Sequence, residues 1–364
     1  MNKLKVNLDK KSASSYEIYI GKGILDRIAT MIVKGNWGAR YIVVTDSNVA
    51  PLHGERVLSA LRGLDLKVDL ICFPAGEASK TMDTCLMLAD RLMELGADRT
   101  SALIALGGGV VGDMTGFLAS IFMRGIPCIQ MPTSLLAQVD SSIGGKTGVD
   151  LAAGKNMLGT FYQPKAVFID LAFLETLPEE EFSNGLAEIV KYGVIEDPEL
   201  LHIMESETEA VKNRDKGVME RLITKSCRIK KGIIEIDVTE KGLRRILNFG
   251  HTIGHAIEAE SDYTVSHGQG VSIGMAAAAR LAESLDYLPT KERLRIETIL
   301  TQVGLPRHIP GTLEKERILA RIKTDKKKKG TVTPFVLLKK IGMPFVNGEV
   351  SEELIGKTIE AIQS

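Results

Sequence analysis

Ala102-Leu103-Ile104-Ala105-Leu106-Gly107-Gly108-Gly109-Val110-Val111-Gly112-Asp113 is a short apolar run that breaks on three glycines and resumes as a second apolar segment. A run of this length that stops at glycine predicts a buried parallel strand, and the longer apolar stretch after Gly112 predicts a helix. Glycines 107, 109 and 112 match the spacing G-x-G-x-x-G. In a strand-to-helix turn, glycine lets the backbone approach a pyrophosphate, while the helix N-terminus offers N–H donors and a positive dipole. The stretch therefore predicts a phosphate or dinucleotide site. The acid that usually ends a strand about 20 residues further on is absent, because Met131-Pro132-Thr133-Ser134 stands there.

Upstream, Tyr41-Ile42-Val43-Val44-Thr45-Asp46 reads as a second buried strand ending on an acid, and Asp46 is available for a ribose. A helical pattern through Leu52 to Leu61 follows, then a strand from Val68 to Phe73. Pro74 to Lys80 opens a helix that stops at Gly96. Residues 3 to 20 look like strands around a Lys10-Lys11-Ser12 turn. Strands alternating with helices predict an α/β domain.

Downstream, Val139-Asp140-Ser141-Ser142-Ile143-Gly144-Gly145-Lys146-Thr147 resembles the end of a P-loop, but its first glycine is replaced by Asp140, which excludes a Walker motif. What remains is a polar group, Asp140, Lys146, Lys155 and Asn156, in glycine-rich loops. After Asp170 and the join at Leu174 to Pro178, strand patterns give way to helices. Glu188 and Lys191 then share one helix face among apolar neighbours, and Lys230 lies on an apolar stripe.

Leu247-Asn248-Phe249-Gly250-His251-Thr252-Ile253-Gly254-His255-Ala256-Ile257-Glu258 carries two of the six histidines, with His267-Gly268 a short polar gap away. Helical spacing projects His251 and His255 from one face, which suits a metal. No protease glutamate separates them, so further ligands must come from elsewhere; His267 and a distant carboxylate are the available suppliers. Asp325-Lys326-Lys327-Lys328-Lys329-Gly330 is a basic run of the kind usually found in solvated loops, set before a hairpin of Val332 to Leu338 and Met343 to Val346.

At 364 residues, with 44% hydrophobic and 25% charged residues, two domains are expected. Lys+Arg and Asp+Glu both number 46, which provides no overall field for nucleic acid or an anionic membrane. Cysteines 72, 85, 128 and 227 are dispersed in mostly apolar surroundings and read as buried thiols of a reducing compartment. The first residues alternate like a strand and carry no apolar signal region, so a cytoplasmic location is expected.

Taken in order, these segments resemble the 3-dehydroquinate synthases, sugar-phosphate cyclases of the shikimate pathway and aromatic amino acid biosynthesis, over nearly the whole chain. The resemblance implies zinc or cobalt held by Glu188, His251 and His267, with His255 beside the site. It implies NAD along Asp46, Glu77, Lys80, Gly108, Gly109, Asp113, Thr133, Ser134 and Thr176, with Lys146 and Lys155 adjoining. A heptulosonate phosphate would meet Arg124, Asp140, Lys146, Asn156, Lys191, Lys230, Arg244, Asn248, His255, Lys326 and Lys327. Three departures from the family pattern stand out: Ser134 for a second threonine, Asp150 for a frequent asparagine, and Gln269-Gly270 for a usual Glu-Ala.

The expected architecture is an α/β NAD-binding domain over residues 1–177 and a mainly α-helical metal- and substrate-binding domain over 178–364, with the active site between them. The expected activity is that of an NAD- and metal-dependent carbon–oxygen lyase, and the family implies a homodimer. Two rival readings are a sister cyclase, since Asn156, Asn248 and His255 carry the choice of substrate, and a metal-dependent polyol dehydrogenase, for which so many cations have no use. A third is a nucleotide-binding regulator with a structural metal.

Overall fold

The computed structural model describes residues 1–8, 15–152, 154–240, 242–329, 334–348 and 350–363, leaving out the side chains of 324–329. The chain falls into two compact units, Met1–Pro178 with Met219–Thr239, and Glu179–Val218 with Glu240–Ser364. Against the contiguous division expected at residue 177, the stretch Met219–Thr239 groups with the first unit.

Among the described residues nine strands belong to the first unit: β1 (Asn2–Val6), β2 (Tyr16–Gly21), β3 (Arg40–Asp46), β4 (Val68–Phe73), β5 (Ser101–Gly107), β6 (Cys128–Pro132), β7 (Lys146–Leu151), β8 (Gly154–Phe161) and β9 (Ala166–Asp170). Its helices before residue 178 are α1 (Leu25–Gly35), α2 (Glu55–Arg62), α3 (Met82–Glu94) and α4 (Gly109–Ile121). Seven strands form one sheet in the order β1-β2-β9-β6-β5-β3-β4, with only the β1–β2 pair antiparallel. β5, β6 and β9 are buried at every position, as a parallel sheet covered on both faces requires. One face packs residues of α1 and α2 such as Ile28, Ile32 and Leu61, and the other packs residues of α3 and α4 such as Leu88, Met114 and Leu118.

Strand order matters for the site. β3 lies beside β5 with Val44 opposite Ala105, so Asp46 and Gly107, each two residues on, leave the sheet at the same edge. The helix expected to open in Pro74–Lys80 begins later: a short turn over Glu77–Ser79 comes first, and the Thr81 side chain caps α3 by accepting from Thr84 N.

Three expectations are corrected. Lys146 to Phe161 is an antiparallel hairpin of β7 and β8 instead of loops, because Gly148 and Gly159 let the two backbones close together where any Cβ would strike the facing chain. Cys72 is exposed, the one such position along β4, because its side chain lies on a part of the sheet face that no helix covers, whereas Cys85, Cys128 and Cys227 are buried as expected. The lysine run is helical to Lys329. The expected turn at residues 10–12 lies outside the described residues.

The remaining elements are α5 (Glu179–Ile195), α6 (Pro198–Ser206), α7 (Thr208–Lys212), α8 (Lys216–Ile236), α9 (His251–Glu260), α10 (His267–Ser284), α11 (Thr290–Gln302), α12 (Lys315–Lys329), the hairpin β10 (Phe335–Lys340) and β11 (Met343–Asn347), and α13 (Glu352–Ala361). The second unit is thus mainly helical. α9 crosses α10 on paired glycines: a Cβ on Gly254 would lie 2.7 Å from the Gly270 carbonyl oxygen, and one on Gly270 would lie 3.0 Å from that of Gly254. Small residues four apart on both helices allow this close approach, which brings the first turn of each helix to one place.

Candidate active site

In the first unit the glycine turn leads from β5 into α4 with Gly108 as N-cap, and no side chain caps the helix. The first turn's N–H groups therefore face outward, a ready anion seat at the positive end of a 13-residue helix. A Cβ on Gly108 or Gly109 would lie 3.4 Å from Ser134 Oγ or 3.2 Å from Ser141 Oγ, and one on Gly112 2.9 Å from Gln130 Oε1. Gly109 and Gly112 thus serve close packing, while at Gly108 a Cβ would make only ordinary contact. Thr133 N donates to Gly107 O at 2.9 Å, and Ser134 Oγ accepts from Ala137 N at 3.2 Å.

Lys80 organises the adjoining polar group. Its Nζ donates to Asp113 Oδ2 at 2.7 Å and to Asn156 Oδ1 at 2.6 Å. Burial disfavours the charge of Lys80, but Asp113 and Glu77 outweigh it and hold its pKa above the ordinary value; burial raises that of Asp113 against the pull of Lys80. Asn156 sits in the left-handed region at φ 56°, with its N–H held by Asp150 Oδ1 at 2.6 Å, while Asp150 N donates to Lys80 O at 2.7 Å. An asparagine oxygen would accept the same bond, so the departure at Asp150 preserves this link. Lys155 Nζ pairs with Glu77 Oε1 at 3.4 Å.

Asp46 Oδ1 accepts from Asn48 N and Val49 N, both at 2.9 Å, and Thr176 Oγ1 meets His53 Nε2 at 2.8 Å. Lys230 Nζ donates to both the carbonyl and the carboxylate of Asp140, each at 2.7 Å. Lys146 is exposed at the start of β7. Arg124 is exposed after α4, at φ 70°, and no described hydrogen bond or ion pair joins it to the other candidates.

In the second unit, Glu188, His251 and His267 come together with a ligand atom each within 4.8 Å of the others. His251 Nε2 is 3.6 Å and His267 Nε2 3.7 Å from Glu188 Oε1. Two ligands of one tetrahedral Zn²⁺ at about 2.0–2.1 Å stand about 3.3 Å apart, so the three atoms fit a metal after small movements. The remaining ring nitrogens face away: His251 Nδ1 meets Phe249 O at 3.1 Å and His267 Nδ1 meets Glu258 Oε1 at 3.1 Å. That arrangement turns both Nε2 atoms toward Glu188, where a cation would take the place of any Nε2 proton. Burial and Lys191 keep His251 neutral, with its pKa well below the ordinary value; at His267 burial is outweighed by Glu188 and Glu258, which raise it to about 10 while no metal competes for the ring.

Lys191 pairs with the other oxygen of Glu188, both side chains being buried. One turn earlier on α5, Asn184 Oδ1 accepts from Ser266 Oγ at 2.6 Å and Gly268 N at 3.0 Å, which fixes the start of α10. Ser266 and Gln269 close a capping box there, so the departure at Gln269 keeps a capping side chain. His255 is exposed beside the cluster, its ring centroid 5.1 Å from His251 and 5.9 Å from His267. Arg244 is buried, and Asn248 Nδ2 donates to Glu240 Oε1 at 2.7 Å. The side chains of Lys326 and Lys327 lie outside the described residues.

Sequence reasoning missed Asn184, His53 and Glu258. Glu258 was findable, since it follows His251 by seven and His255 by three on a helix and so shares their face. His53 carried no signal in its own surroundings.

Comparison with known proteins bears on both units. The family model described as 3-dehydroquinate synthase N-terminal matches residues 70–184, and that described as 3-dehydroquinate synthase C-terminal matches 185–328. A 3-dehydroquinate synthase of Desulforamulus reducens is 44% identical over 353 residues, 97% of this chain and 98% of its own. A 2-deoxy-scyllo-inosose synthase crystallised with carbaglucose-6-phosphate, NAD⁺ and Co²⁺ superposes with TM-score 0.91 at 27% identity, over 99% of this chain and 100% of that one. The 2-epi-5-epi-valiolone synthase of Streptomyces hygroscopicus subsp. jinggangensis, with NAD⁺ and Zn²⁺ bound, gives 0.90 at 28% identity, over 98% and 99%.

Proposed function

The chain belongs to the 3-dehydroquinate synthase family, and on that premise we propose that it converts 3-deoxy-D-arabino-heptulosonate 7-phosphate to 3-dehydroquinate and phosphate in the shikimate pathway. It is an NAD- and metal-dependent carbon–oxygen lyase. The observation that carries the reading is the occurrence, in one chain 44% identical to such a synthase, of a three-ligand metal cluster and an uncapped glycine-rich helix N-terminus.

Glu188, His251 and His267 would hold Zn²⁺ or Co²⁺, the ions carried by the two structural relatives, and three protein ligands leave a position for substrate. Asp46, Glu77, Lys80, Gly108, Gly109, Asp113, Thr133, Ser134, Lys146, Lys155 and Thr176 would line the NAD site. When bound, the metal would supply Lewis acidity at the C5 oxygen and NAD a reversible hydride acceptor for C5.

The chain's own residues bind, orient and move protons. A molecule with both phosphate and carboxylate needs several cations, and Arg124, Lys146, Lys191, Lys230, Arg244, Lys326 and Lys327 provide them. The double hold of Lys230 on Asp140 keeps one of these cations in a single position. A carbonyl at C5 acidifies the C6 proton, which permits loss of phosphate; re-reduction, ring opening and intramolecular aldol closure follow. His255, exposed beside the proposed ligands, would take or give a proton. Asn156, Asn248 and His255 favour the heptulosonate over the substrates of sister cyclases.

We read the enzyme as a cytoplasmic homodimer without nucleic-acid partners, as the family implies; net charge is zero, and among the described residues no helix is long and apolar enough to cross a membrane. A monomer by light scattering would contradict the dimer. The function itself is tested with substrate in large excess over NAD. Phosphate release should run to completion with no NADH build-up, because the hydride returns within each turnover. One NADH per product would make the protein a polyol dehydrogenase, and faster turnover of a hexose 6-phosphate would make it a sister cyclase.

A further inference from the structure

His251 and His267 are turned toward Glu188 by unlike partners. The Nδ1 of His251 meets a neutral backbone carbonyl, that of Phe249, whereas the Nδ1 of His267 meets the carboxylate of Glu258 at the same 3.1 Å. Glu258 is only 5% exposed, and it stands on α9 while His267 opens α10. Its seat depends on the neighbouring helix: a Cβ on Gly270 would lie 2.9 Å from Glu258 Cγ and 3.2 Å from Oε1. The missing side chain at Gly270, one of the departures from the family pattern, leaves the space that the carboxylate occupies.

We propose that Glu258 is a positioning residue for the metal, holding His267 in one ring orientation and strengthening its Nε2 as a donor without itself entering the ligand set. The inference rests on reading Glu188, His251 and His267 as the ligands. A carboxylate on Nδ1–H does two things a carbonyl does less well. It fixes the proton on the nitrogen remote from the metal, and its negative charge draws that proton away, so that electron density rises on Nε2. His267 opens its helix with its side chain 31% exposed; its ring also meets those of His251 and His255, with centroids 5.5 and 5.9 Å away, but only Glu258 engages Nδ1 among the hydrogen bonds described. Loss of such an outer partner typically costs 10–100-fold in metal affinity.

The test uses full-length protein stripped of metal by a chelator and titrated with Zn²⁺ against a chromophoric competitor. Glu258→Gln keeps an oxygen acceptor of the same reach but loses the charge, and should bind Zn²⁺ about 10-fold more weakly; Glu258→Ala should fall by about 100-fold. Wild-type unfolding midpoints for the metal-free variants, and unchanged visible band positions for their Co²⁺ forms, should show that neither fold nor ligand set has altered. His267→Ala is the control for the underlying reading. If it retains stoichiometric metal, the ligand assignment is wrong. If it loses metal while both Glu258 variants bind as tightly as wild type, the ligands stand and the positioning role is refuted. If the Co²⁺ bands shift in Glu258→Gln, Glu258 is a ligand, which also overturns the proposal. Should Glu258→Ala fail to fold, the near-isosteric glutamine variant decides alone.

Discussion

Lys191 pairs with Glu188, and the proposed function gives it a second role, holding the anionic substrate. It lies three positions after Glu188 on α5, and the pair is buried, so it is far from the solvated intrahelical ion pair that this spacing usually means. A buried pair loses about 3–5 kcal/mol when one partner is removed, yet a bound divalent ion would still neutralise Glu188. Lys191→Met should therefore fold in the presence of Zn²⁺ and lose mainly its hold on anionic substrate. A charge-assisted hydrogen bond is worth about 1.5–3 kcal/mol, so the substrate Kd should rise roughly 10- to 150-fold while that for NAD stays put; Arg244→Met, also buried, should behave alike. Calorimetry reads both affinities. An equal loss of the two would mean that the anion pocket has been misplaced.

At the scale of elements, the candidate metal cluster depends on how closely α9 and α10 approach. Gly250, Gly254, Gly270 and Gly274 replace side chains with backbone contact, and a Cβ on Gly274 would overlap the carbonyl oxygen of Gly250. Gly274→Ala must push the helices apart and carry His251 away from His267. Overpacking of this kind costs about 1–3 kcal/mol, and both the urea midpoint and the zinc content should fall. Gly232→Ala is the paired control, because that glycine lies within α8 with nothing inside 4 Å of its Cβ position. It should stabilise by about 0.4–1 kcal/mol through the unfolded chain's lost freedom. If both variants keep wild-type stability and zinc, the glycines do not set the crossing.

The molecule as a whole divides its thiols by position in the sheet and helices. Burial pushes the pKa of Cys85 up to about 11 and those of Cys128 and Cys227 up to about 12, while Cys72 sits exposed on the outermost strand. Native protein at pH 8 should thus titrate one thiol with a disulfide reagent, and four in denaturant; fast reaction of more than one would contradict the packing around α3, β6 and α8. Much of this architecture was legible in the chain. The apolar run at Ala102–Leu106, the glycines after it and the spacing of His251 and His255 each declare a strand, a turn or a helix face, because period and glycine placement act on neighbours along the backbone. The hairpin of β7 and β8 was not, since its signal lies in Gly148 and Gly159 facing each other across strands. Nor was the exposure of Cys72, which depends on what covers that part of the sheet face. Asp46 carries a ribose-binding acid's chemistry on its own, but only the order β5-β3 brings it to the glycine turn. In the same way Glu188 and the histidines are visible as candidates, while their meeting, and the turning of His267 by Glu258, are products of helix packing. Sequence periodicity determines which face of an element is buried; which other face it is buried against is decided by contacts between distant segments, and those exist only once the chain has folded.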